Sequence, residues 1–179
     1  WHKGIGELVE AARLLKARGV PLVVRLVGPT DANPASIPQA DLDTWAAEGI
    51  VEVAGPTRDV AGAYANAHIA VLPSYREGLP KSLLEAAACG RPMVATDVPG
   101  CREICLHHET GLLVPPRAPV ALADALEELA RDAGLRARLG ANARRLVVAE
   151  LADTAVAAQT LDLYRRLLHK IEAADATAG

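Results

Sequence analysis

Two glutamates, Glu77 and Glu85, flank a Pro-Lys-Ser turn in the stretch Ser74-Tyr75-Arg76-Glu77-Gly78-Leu79-Pro80-Lys81-Ser82-Leu83-Leu84-Glu85-Ala86. These residue types can divide work along one ligand. A carboxylate accepts paired hydrogen bonds from vicinal hydroxyls, while an ammonium and the free N–H groups at a helix start attract phosphate. With Pro80 at the first helical position, the N–H groups of Lys81, Ser82 and Leu83 are left unpaired and face the loop. Glu77 before the turn and Glu85 just beyond it then suit a ligand with sugar, pyrophosphate and ribose in a row, which is a nucleotide sugar. Residue by residue, a plainer assignment also fits: Glu77 neutralising a helix start, Lys81 pairing with Glu85 at i, i+4, and Ser82 solvated.

The elements around this corner come from hydrophobic periodicity. Ile5, Leu8, Val9, Ala12 and Leu15 recur at helical spacing up to Gly19, and the apolar run 21–28 then reads as a buried strand ending at Gly28. A Pro-rich loop to Pro38 follows. The alternation continues with a helix over 40–48, a strand over 50–54 ending at Gly55, a helix over 60–67 and a strand over 69–73. Next come a helix over 80–89, a strand over 93–96, a short helix over 101–105 and a strand over 112–114. Near-continuous apolar strands alternating with helices predict a doubly wound, Rossmann-like α/β domain with a parallel sheet. Helices over 120–133, 135–150 and 154–170 form a helical tail. The small-residue end, 171–179, is expected to be disordered.

In such a sheet, ligands bind outside the carboxyl ends of the strands, where the loop 74–79 lies. The usual strand order, 3-2-1-4-5-6, places the first strand centrally, and the sequence opens just after where that strand would stand. Five strands are therefore expected around a gap. Either the strands over 22–27 and 69–72 close on each other or another segment fills the slot.

Composition narrows the function classes. The chain has 179 residues, 51% hydrophobic and 23% charged, which is globular, and no apolar run is long enough to span a membrane. A net charge of −3 with dispersed Lys and Arg argues against a nucleic-acid partner. Cys89, Cys101 and Cys105 lack metal-site spacing, so they read as free thiols in a reducing, cytoplasmic compartment, and no metal is expected.

The corner resembles the Glu-x7-Glu motif of retaining glycosyltransferases with the GT-B fold, family 4 (glycosyl transferases group 1). "AVLPS" before it, "ACGRPMVATDVPG" after it, "REI" at 102–104, "TGLLVPP" at 110–116 and "LYRRL" at 163–167 follow the family in order. The resemblance covers about residues 1–170 and is specific to the donor-binding C-terminal half. It implies that Glu85 binds the ribose hydroxyls and Glu77 approaches the transferred sugar. Backbone groups of Gly78, Leu79, Pro80, Lys81 and Ser82 would contact sugar hydroxyls and diphosphate. Lys3-Gly4 match the family's Lys-Gly pair, whose lysine neutralises the leaving diphosphate. Gly55-Pro56-Thr57 fall where the family holds the nucleobase, and Gly28 ends a strand beside the cleft.

The resemblance further implies a nucleotide-diphosphate sugar as donor substrate, no cofactor, an acceptor-binding N-terminal domain beyond this sequence, and peripheral membrane association of the full enzyme. An arginine that the family carries before the Lys-Gly pair would fall ahead of Trp1. Pro99-Gly100 stand before Glu103 where Gly-Gly is common, and His68 stands where aspartate is common.

Other readings are a non-catalytic nucleotide or nucleotide-sugar binding module, or an epimerase or phosphorylase half of the same fold. Gly4-Ile5-Gly6-Glu7-Leu8-Val9 nearly spells a dinucleotide fingerprint, with Asp31 as ribose acceptor, but its third glycine is Val9 and no strand precedes it. Adjacent His107 and His108 point apart and read as a surface turn rather than metal ligands. Glu103 either faces the cleft or sits at a helix start.

Overall fold

The computed structural model describes residues 3–29 and 37–178, with side chains through His169. Asp31, the alternative ribose acceptor, lies outside the described residues. The chain runs α1 (Ile5–Ala17), β1 (Val24–Val27), α2 (Gln39–Ala47), β2 (Val51–Gly55), α3 (Val60–Ala65), β3 (Ala70–Leu72), α4 (Lys81–Ala88) and β4 (Met93–Thr96). It continues through α5 (Pro99–Arg102), β5 (Gly111–Val114), α6 (Pro119–Arg131), α7 (Ala133–Leu146), a π-helical turn (Val147–Leu151) and α8 (Asp153–Ala178).

Every strand pair is parallel, but the strands form two sheets. β1 pairs with β2, starting at Val24 opposite Val51. β4 lies between β3 and β5, with Val94 opposite Val71 on one side and Leu112 on the other. Among the described residues no ladder joins β1 to β3. The strands expected to flank a gap have not closed on each other. Burial follows from this arrangement: all four residues of β4 are buried, whereas Val71 and Leu72 of the edge strand β3 are only half-buried.

Helices hold the two sheets together. The face of α1 carrying Leu8, Val9, Ala12 and Leu15 packs in one cluster with Val24 and Val51 from one sheet and Val94, Leu112 and Val114 from the other. Leu122, Leu126 and Leu129 of α6 complete it. Each fully buried Leu of this kind stabilises the fold by roughly 1.5–3 kcal/mol. Arg18, just past α1, ties the layer at its rim through Asp124 at 2.7 Å and Glu127 at 3.0 Å. A second cluster joins Leu83, Ala86 and Ala87 of α4 to Met93, Ala95, Cys101, Ile104 and Cys105.

Some boundaries differ from the sequence reading. The short helix starts at Pro99 rather than Cys101, because Pro at the first position favours helix entry and the Val98 carbonyl accepts the Cys101 and Arg102 N–H groups. α8 runs on as helical backbone to Ala178. Alanine, the best helix former, is frequent in this stretch.

Candidate active site

Lys3 lies two residues ahead of α1 and Glu77 lies in the loop from β3 to α4. They meet with Nζ to Oε1 at 2.6 Å across a separation of 74 positions. The ammonium side chain is 65% exposed and the carboxylate 13%. The approach depends on Gly4. Its φ is +66°, and a Cβ there would fall 2.0 Å from the Pro73 carbonyl oxygen at the end of β3. Only a glycine lets the start of α1 sit this close to the strand end.

The loop that carries Glu77 is pinned on several sides. The Thr96 hydroxyl donates to the buried Ser74 carbonyl, and the Tyr75 hydroxyl donates to Glu7 in the first turn of α1. The Arg117 guanidinium stands 4.9 Å above the Tyr75 ring, within cation–π range. Burial, followed by the bond to Glu7, holds the Tyr75 phenol above its ordinary pKa. Glu77 also makes itself felt inside the fold: burial first, then this carboxylate, pushes the Cys101 thiol up to about 11.

The helix start differs in detail from expectation. Pro80 is the N-cap rather than the first helical residue, with φ −72° and ψ 113°. Its carbonyl accepts the N–H groups of Leu83 at 3.0 Å and Leu84 at 3.3 Å, so the Leu83 donor is already used. The proline ring sets φ but leaves ψ free, so an extended Pro80 can turn its carbonyl into the helix. The N–H groups of Lys81 and Ser82 have no hydrogen-bond partner among the described residues. They are the two donors this end can offer an anion.

Lys81 lies 3.5 Å from Glu85 on α4, with the lysine 87% exposed, so the plain i, i+4 pair expected from the sequence is present. Such an exposed pair is worth at most about 0.5 kcal/mol, and either partner can be diverted to a ligand. The Tyr64 hydroxyl donates to the Ser82 carbonyl at 2.9 Å, joining α3 to the start of α4. Burial, then the Glu85 charge, raises the Tyr64 pKa.

Gly28 and Gly55 leave neighbouring strand ends and are linked, the Gly28 N–H donating to the Gly55 carbonyl at 3.0 Å. Gly55 has φ +69°, and the Thr57 hydroxyl accepts the Asp59 N–H as the chain turns through Pro56 into α3. Among the described residues no hydrogen bond or ion pair connects Gly28, Gly55, Pro56 or Thr57 with the Lys3–Glu77 pair. The residues named from the sequence therefore fall in two separate groups, one at each sheet.

Other candidates settle into structural places. His107 Nδ1 accepts the Leu113 N–H at 3.0 Å, which fixes a turn, and no cluster of His, Cys, Asp or Glu among the described residues could hold a metal. Glu103 is exposed and caps the end of α5 rather than its start, because α5 begins at Pro99. Glu7, Tyr75, Arg117 and Tyr64 were not singled out from sequence. Tyr75 and Glu7 lie 68 positions apart, and no local pattern marks such a pair.

Comparison with known proteins gives this geometry its context. Residues 1–132 match the family described as glycosyl transferases group 1. The chain is 33% identical over 171 residues to the N,N'-diacetylbacillosaminyl-diphospho-undecaprenol alpha-1,3-N-acetylgalactosaminyltransferase of Campylobacter jejuni, covering 96% of this chain and 43% of that one. Sucrose-phosphate synthase from Thermosynechococcus elongatus superposes with a TM-score of 0.77 at 32% identity, covering 94% of this chain and 43% of that one. Anabaena HepE, solved in complex with UDP, superposes with a TM-score of 0.77 at 23% identity over 92% of this chain and 46% of that one. The chain spans less than half the length of these proteins. With its parallel α/β fold and its Lys3–Glu77 corner, the chain belongs to the glycosyl transferases group 1 and has the GT-B architecture of their C-terminal domain.

Proposed function

We propose that residues 1–170 are the donor-binding domain of a retaining glycosyltransferase that moves a sugar from a nucleotide-diphosphate sugar to an acceptor hydroxyl. The observation that carries this reading is the Lys3–Glu77 pair at 2.6 Å, whose glutamate lies in the loop that leads into a helix start with two N–H groups unpartnered among the described residues. A diphosphate entering this corner draws the Lys3 ammonium away from Glu77 and takes hydrogen bonds from Lys81 and Ser82. The freed Glu77 carboxylate then accepts hydroxyls of the sugar, and Glu85 accepts those of the ribose. Gly28 and the Gly55-Pro56-Thr57 loop border the nucleobase.

Rate acceleration in this scheme is electrostatic. As the bond between the anomeric carbon and the diphosphate oxygen breaks, negative charge grows on the leaving group, and Lys3, drawn onto the diphosphate on binding, stabilises it together with the helix donors. The acceptor hydroxyl is delivered by a separate N-terminal domain of the whole protein. The acceptor named for the Campylobacter relative is a lipid diphosphate, which supports a peripheral contact of the whole enzyme with a membrane surface. No helix among the described residues is long and apolar enough to cross a membrane. Three free thiols support a reducing, cytoplasmic location.

The test is sugar transfer by the whole protein, using radiolabelled nucleotide sugars and a panel of lipid-linked and saccharide acceptors. Glu77→Ala and Lys3→Ala are each expected to lower transfer by about 100-fold or more while leaving the fold intact. Transfer at the unmodified rate in both variants would overturn the proposal.

A further inference from the structure

Gly100 is buried in the first turn of α5, remote in sequence from the corner yet in contact with it. A Cβ at Gly100 would fall 1.7 Å from the Gly78 carbonyl oxygen and 2.7 Å from that of Glu77. Both are backbone atoms, so no side-chain rotation relieves the overlap. On its other side the loop is free, since a Cβ on Gly78 would meet nothing within 4 Å. The loop thus has one face toward open space and one resting on Gly100.

The support beneath is fixed. The Val98 N–H donates to the Thr96 carbonyl at 2.8 Å, and the Val98 carbonyl accepts from Cys101 at 3.0 Å and Arg102 at 3.1 Å. Arg102 also donates to both the side chain and the carbonyl of Asp97. Cys101, Ile104 and Cys105 are fully buried, so α5 cannot retreat into the core to accommodate a larger residue. A side chain at position 100 moves the Gly78–Leu79 peptide outward by roughly 1 Å or more and presses on the Glu77 carbonyl beside it, a displacement that can cost about 100-fold when it misplaces a reacting group.

We infer that Gly100 is a positioning residue: its missing side chain sets the height of the Glu77–Gly78 loop, and so decides whether the site grips the sugar of the donor as well as its nucleotide. The inference rests on the donor-binding reading above. Gly100 acts on the sugar end, because the loop it supports carries Glu77, whereas the ribose partner Glu85 stands on α4.

A matched glycine contact elsewhere provides the control. A Cβ at Gly140 on α7 would fall 2.1 Å from the Gly90 carbonyl oxygen, an overlap of the same kind away from the corner. Calorimetry on the whole protein would measure UDP against UDP-glucose, GDP against GDP-mannose and ADP against ADP-glucose, carrying forward the pair that the unmodified protein binds. Gly140→Ala is expected to lower Tm and keep the ratio of sugar-conjugate to free-nucleotide affinity. Gly100→Ala is expected to reduce that ratio about tenfold or more, with free-nucleotide affinity held within about threefold.

An unchanged ratio in Gly100→Ala, or an equal loss of both affinities, would overturn the inference. If Gly100→Ala does not fold, Arg102→Ala unties the turn without overpacking it and is expected to lower the ratio about twofold to threefold; no change there overturns the inference as well. If the unmodified protein binds none of the six nucleotides, the donor-binding reading fails and this inference falls with it.

Discussion

Lys3 and Glu77 form an ion pair at 2.6 Å in which the lysine is largely exposed and the glutamate largely buried. Each neutralises the other, so under the proposed function an incoming diphosphate competes with Glu77 for Lys3. Glu77→Gln removes the competitor. Free nucleoside diphosphate should bind roughly twofold to fivefold more tightly, as expected for a partly exposed pair worth about 0.5–1 kcal/mol. Sugar transfer should fall even as nucleotide affinity rises. Calorimetry with the free nucleotide decides: weaker binding in Glu77→Gln would mean that Glu77 orients Lys3 instead of competing for the same ligand.

Gly4→Ala combines a positive φ with a Cβ 2.0 Å from the Pro73 carbonyl oxygen. Strain of this kind costs about 1–3 kcal/mol, and at this chain length each kcal/mol lowers Tm by about 2–4 °C. Thermal unfolding should show the loss. An unchanged Tm would show that α1 moves freely away from β3.

The buried thiols set an alkaline limit. Burial raises Cys101 to about 11 and, with the neighbouring Cys101 as a lesser cause, Cys105 to about 12, from an ordinary value of 9.0. The unfolded chain therefore releases these protons first. Their contribution to stability is complete below pH 9 and is lost as pH rises toward 11 and 12. Tm should fall over that window, and Cys101→Ala with Cys105→Ala should flatten the decline. Iodoacetamide at pH 8 should modify the half-buried Cys89 well before either of the others, with mass spectrometry reporting the order.

Tyr64→Phe removes the 2.9 Å bond to the Ser82 carbonyl without emptying the space the ring fills. The expected cost is about 0.5–1.5 kcal/mol. Because the bond joins α3 to the start of α4, amide exchange at Lys81 and Ser82 should quicken as well. Unaltered exchange there would limit Tyr64 to packing.

The sequence made the α/β alternation readable because its strands are short apolar runs and its helices carry apolar faces at regular spacing. The motif residues were readable because Glu77, Lys81 and Glu85 lie within one local stretch. What joins distant segments was less accessible. Tyr75 was in plain view, but its partners, Glu7 in α1 and Arg117 ahead of α6, come from distant segments that only the finished fold brings together. Pro80 was misplaced by one position because its fixed φ suits either the cap or the first helical residue. Gly100 drew notice only as part of a motif, since the identity of a glycine does not reveal which carbonyl occupies the space of its missing side chain.

The division of the strands into two sheets has a colloidal consequence. β1 and β3 each keep one edge without a ladder partner among the described residues, and Val23 just before β1 and Val27 at its end are 65% and 45% exposed. Open edges of this kind template pairing with further copies, and a net charge of −3 supplies little repulsion against it. Pairing of further copies at these edges is expected to limit the solubility of the 179-residue chain, and added salt, by screening that small charge, is expected to lower it further.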